Sequence, residues 1–165
     1  MDEALAVIDE ALTTCLAVPL WARSADEVVG YLDRVQVLEQ RLAGLKLRLV
    51  REVDSLGVPQ KQGASSTVSW LRDRHRVSGG AAKRSVDLAR ALDRDVPAVA
   101  EALDAGAVNV EQARIIAATV DRVPGTVKGK AETCLVGMTD DEFARDEGLV
   151  AADLARLKRI LEGAG

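Results

Sequence analysis

Apolar residues recur every three or four positions through almost the whole chain, and no stretch sustains the period of two that a strand requires. Leu5, Ile8, Leu12, Cys15 and Leu16 predict a first helix over residues 3–18, stopped by Pro19. Ser24-Ala25-Asp26-Glu27 then forms a capping box, in which hydroxyl and carboxylate each satisfy a free backbone N–H. Behind it Val28, Leu32, Val35, Leu38, Leu42, Leu45, Leu49, Val53 and Leu56 make a near-heptad stripe, with no proline between 20 and 58. The pattern predicts one helix over 24–56, about 45 Å long at about 1.5 Å per residue. Gly57 and Pro59 end it.

The polar segment 58–65 reads as a loop. Ser65 or Ser66 caps a short helix to about Arg74, with Val68, Trp70 and Leu71 apolar, and Ser78 caps the next, to about Arg94. The apolar side of this last helix is Ala81, Ala82, Ser85, Val86, Leu88, Ala89 and Leu92; Lys83, Asp87, Arg90 and Arg94 form its polar side. Further helices are predicted over 97–106, 109–123 and 126–138, with a last one after Thr139, where Thr139-Asp140-Asp141-Glu142 repeats the capping box. The expectation is an all-α bundle of about eight helices in a single domain, with residues 1–20 as an appended helix.

Composition fits that fold. Apolar residues make up 48% of the 165 positions and aromatic ones 2%, so the core must be built from Leu, Val and Ala. The first residues carry no basic leader, and no apolar run reaches the roughly 18 residues of a membrane span. Cys15 and Cys134 lack metal or redox spacing and read as reduced, partly buried thiols of a cytoplasmic protein. Charge is uneven: residues 1–33 carry net −6 and residues 60–94 net +5, within a chain of net −4.

Gly63-Ala64, Ser66, Trp70-Leu71, Ser78, Ala82, Arg84, Leu88-Ala89-Arg90-Ala91-Leu92, Pro97, Ala102-Leu103, Gly106 and Ala113-Arg114-Ile115 stand in an order and spacing that resembles the actinobacterial 13E12 repeat family. The resemblance runs from about residue 30 to 160. That family's domain of unknown function, number 222, usually precedes a C-terminal HNH endonuclease domain. Gln112 stands where the family often has histidine, and the sequence ends at Gly165, about where the nuclease domain would begin. The resemblance implies a helical accessory domain beside DNA-cleaving enzymes.

The candidate chemistry points the same way. An HNH site needs a histidine base and further His, Asp or Asn ligands for a metal. His75 and Asn109 are the only histidine and asparagine in the chain, so no nuclease centre is expected. Neither a P-loop, a GxGxxG nor a GxSxG motif occurs, and no cofactor or metal is expected. Asp140, Asp141, Glu142, Asp146 and Glu147 fit the first turns of a helix without an ion.

Two binding surfaces stand out. Arg72, Arg74, Arg76, Lys83, Arg84, Arg90 and Arg94 form a basic cluster on a helix–turn–helix-like pair. It reads either as a phosphate-contacting surface for duplex DNA or as solvated helix faces and partners of acidic segments. Residues 99–118 form a second such pair, or simply two packed core helices. The stripe centred on Val35, Leu38, Leu42, Leu45 and Leu49 is either the spine of the domain's own core or a self-association seam. The leading expectation is a non-catalytic accessory or targeting domain that contacts duplex DNA or a nuclease domain in trans. The alternative is a helical interaction module that forms a homodimer through the long helix.

Overall fold

The computed structural model describes residues 1–137, and its regular structure there is entirely helical. The helices are α1 (Asp2–Leu16), α2 (Ala25–Ser55), α3 (Val58–Lys61), α4 (Thr67–His75), α5 (Gly79–Arg94), α6 (Pro97–Ala105), α7 (Val110–Asp121) and α8 (Lys128–Gly137). Short 3₁₀ turns at Leu20–Ala22 and Gly125–Val127 precede α2 and α8. The expected helix after Thr139, with its capping box and acidic group, lies outside the described residues.

The caps form where the sequence places them. The Ser24 N–H donates to Glu27 Oε2 at 2.9 Å, and the Glu27 N–H donates back to Ser24 Oγ at 3.3 Å. Ser66 and Ser69 form the same reciprocal box at the start of α4. Ser78 Oγ accepts the Ala81 N–H at 3.1 Å to open α5. At α7 the Asn109 N–H donates to Gln112 Oε1, and the Gln112 N–H to Asn109 Oδ1, both at 2.8 Å. Gln112 thus has a capping role of its own.

The segment read as a loop over 58–65 is partly helical. Gly57 takes a left-handed φ of 62°, and the chain winds one turn, α3, with Pro59 buried. Proline is well suited to a first helical turn, where its missing N–H has no partner to lose.

The chain divides into two units, Met1–Gln36 and Val37 onward, with the boundary inside α2. In the first unit no residue is buried. In the second, Val86, Val96, Val99, Leu103, Ile116 and Val120 form the fully buried centre, contributed by α5, α6, α7 and the turn before α6. Two glycines let backbones approach there. A Cβ on Gly44 would lie 2.7 Å from Asp104 Oδ1. Gly106 ends α6 at φ 78°, and a Cβ on it would lie 2.7 Å from Val37 Cγ1. Glu132 of α8 is buried, and its carboxylate accepts the Val99 N–H at 3.0 Å in the first turn of α6. Both cysteines are free and exposed, not partly buried as expected.

The long helix corrects the reading of its stripe as a core spine. Within the second unit α2 buries Gln40, Gly44, Leu47 and Val50, while Leu38, Leu42 and Leu49 stay exposed. At about 100° per residue these two sets lie roughly 160° apart around the helix. The covered face is the one that carries a glamour-free mix of glutamine, glycine and two aliphatic residues. Gln40 belongs there because its Oε1 accepts the Val110 N–H at 3.2 Å, one of the free donors at the start of α7.

Candidate functional site

The seven basic residues do not converge on one surface task. Arg90 is structural. Its Nε and Nη2 donate to Asp54 Oδ2 and Oδ1 at 2.7 and 2.8 Å, and Thr67 Oγ1 donates to Asp54 Oδ1 at 2.6 Å. This knot joins α2, α4 and α5 around a carboxylate whose side chain is 13% exposed. The Arg90 hydrogen bonds, helped by Thr67 and the nearby Arg51 charge, hold the Asp54 carboxyl at about 2, against an ordinary 3.8.

Two more of the seven have acidic neighbours. Arg72 Nε lies 2.7 Å from Asp73 Oδ1, and Lys83 Nζ lies 2.5 Å from Asp87 Oδ2. Arg74 stacks on the Trp70 ring at 5.0 Å from its centroid, while the indole Nε1 donates to Gln62 Oε1 at 2.8 Å. Arg76 closes α4 in a left-handed conformation, φ 54°. Among the described residues no carboxylate pairs with Arg74, Arg76, Arg84 or Arg94.

Arg84 and Arg94 line a groove of about 480 Å³ between α5 and α7, which Arg114 joins. Asp87, Asp95 and Asp121 line it too, so the groove carries both signs. Arg114 was not singled out in the sequence; its only signal there was membership of the Ala113-Arg114 pair. His75 ends α4, with its ring centroid 6.4 Å from that of Trp70. The 99–118 pair is observed as α6 and α7, which give Val99, Leu103, Ala113 and Ile116 to the core.

The stripe gives the most coherent surface. Val35 is 59% exposed, Leu38 54%, Leu42 44% and Leu49 45%, with Leu45 half-buried between them. All five sit on one unbroken helix. In the first unit Leu5, Ile8, Leu12 and Leu16 of α1 are likewise exposed, as is Trp21. Large apolar side chains in such numbers are unusual on a surface that meets only water.

The fold and its surfaces define an all-helical domain with exposed apolar faces. Residues 30–134 match the domain of unknown function DUF222, and the chain belongs to that family. No curated protein and no solved structure matches the chain. Among the described residues, no helix is long and apolar enough to cross a membrane.

Proposed function

We propose that this chain is a non-catalytic helical module that acts through protein–protein association, as an accessory of the nuclease systems its family resemblance implies. The observation that carries this reading is the exposure of the first 39 residues. None of them is buried, although they include most of the large apolar side chains exposed in the described residues. In water a helix gains most of its stability from packing an apolar face, so a face of this kind is a surface that meets a partner. The test is a photo-crosslinking amino acid placed at Leu38 or Leu42 and irradiated in cells. Adducts of higher mass are expected from those positions and not from the exposed Gln60. No adduct from either stripe position would remove the reading.

Duplex DNA is the second reading, favoured by Arg74, Arg76 and Arg84, which keep their donors available near the Ser78-capped start of α5, and by Arg94 at its far end. It predicts salt-dependent mobility shifts that Arg74→Glu/Arg84→Glu/Arg94→Glu abolishes. No shift at low salt would end it.

A further inference from the structure

We infer that the partner of the α2 stripe is a second copy of this chain, joined through a two-stranded coiled-coil seam. The inference rests on the association reading above and names the occupant of that surface. Taking Val28 as an a position, the a column runs Val28, Val35, Leu42 and Leu49, and the d column runs Tyr31, Leu38 and Leu45. Every a and d position between Val28 and Leu49 is apolar. Glu52 takes the next d position and closes the seam.

A strict 3.5-residue repeat is more than amphipathicity demands. A helix packing on a globular core needs a broad apolar face, whereas a narrow a/d seam fits another helix of the same pattern. In this chain the two requirements fall on different faces of α2. Gln40, Gly44, Leu47 and Val50 meet the chain's own core, and the heptad seam is left over. β-Branched residues at a with leucine at d favour two strands in parallel pairs, and the Val35–Leu38 heptad follows that preference, while Leu42 and Leu49 at a and Tyr31 at d are apolar without following it.

The flanking charges add complementarity. Arg34 stands at g and Glu39 at the following e, the pair that bridges two parallel helices in register. By twofold symmetry it would form twice. The next such pair, Arg41 and Lys46, is alike in charge and offsets part of that gain; Arg41 Nε also donates to the Asp104 carbonyl at 3.2 Å. The size is sufficient. A seam from Val28 to Leu49 is about 32 Å long, and half the circumference of a helix about 11 Å across gives roughly 540 Å² per copy. The sum over two copies passes the roughly 1,000 Å² that separates specific interfaces from casual ones.

Sedimentation equilibrium of the full chain tests this, with Leu38→Glu/Leu42→Glu and the milder Leu38→Ser/Leu42→Ser alongside. The wild type is expected at twice the chain mass. Both variants should weaken association, the first by at least roughly 100-fold, while helicity and thermal melting of the dilute protein stay intact, because the altered side chains are exposed. A wild type that is monomeric at every concentration overturns the inference; so does a larger assembly, or a dimer that neither variant weakens. If the wild type is monomeric, crosslinks from Leu38 to a different protein would leave the broader association reading standing, and their absence would remove both.

Discussion

Replacing Asp54 by asparagine should cost about as much as the native carboxylate gains from its partners, and the cost should vanish in acid. Asp54 accepts hydrogen bonds from Arg90 and Thr67; its own side chain is 13% exposed but that of Arg90 is 43% exposed, so solvent screens the pair in part. Its carboxyl titrates at about 2 in place of an ordinary 3.8. At about 1.36 kcal/mol per pH unit, that difference amounts to roughly 2.5 kcal/mol. The folded value lies below the unfolded one. The contribution is therefore complete above the unfolded value, near pH 4, and is lost as pH falls through the folded value, near pH 2. With that screening, urea unfolding followed by far-ultraviolet circular dichroism should show Asp54→Asn less stable than wild type by about 1–2.5 kcal/mol at pH 7. The gap should narrow steadily between about pH 4 and pH 2. A gap that is absent at pH 7, or that stays constant down to pH 2, would refute the reasoning.

Two further predictions concern packing in the second unit. Gly106→Ala forces a side chain onto a left-handed residue and drives its Cβ to 2.7 Å from Val37 Cγ1; thermal melting should register a loss of about 2 kcal/mol or more. A loss under about 0.5 kcal/mol would show that α2 gives way freely there. Glu132→Ala leaves the Val99 N–H without its acceptor inside the bundle and should cost about 1–3 kcal/mol in chemical denaturation. Wild-type stability would mean that this N–H is satisfied in another way.

Much of the fold was legible because helix ends are written locally. Ser24, Ser66, Ser78 and Asn109 each sit one position before a helix and reach only three residues ahead for a partner. What depends on distant residues was not legible. Arg90 shares its spacing with Lys83, Asp87 and Arg94, so it reads as one more polar-face cation. Its partner Asp54 is 36 residues away, and only the packing of α2 against α5 brings them together. The buried face of α2 was hidden for a related reason. A helix with two usable faces gives one strong periodic signal, from its leucines, and nothing local says that Gln40 and Gly44 are the residues a neighbouring helix will cover. Gln40 could have been suspected only as a side chain that caps another helix from 70 residues away. The one-turn helix α3 escaped because Gly57 and Pro59 signal a stop and a start equally well.

The measurement that bears most directly on the seam is cysteine cross-linking at its centre. In a Cys15→Ser/Cys134→Ser background, Leu42→Cys places a single thiol in the middle of the stripe, and Ser55→Cys places one at the exposed end of the same helix. Mild oxidation of dilute protein should give a covalent dimer from the thiol at position 42 and little from that at 55. Equal yields from the two positions, or no covalent dimer from position 42, would contradict the claim that this chain pairs with itself through α2.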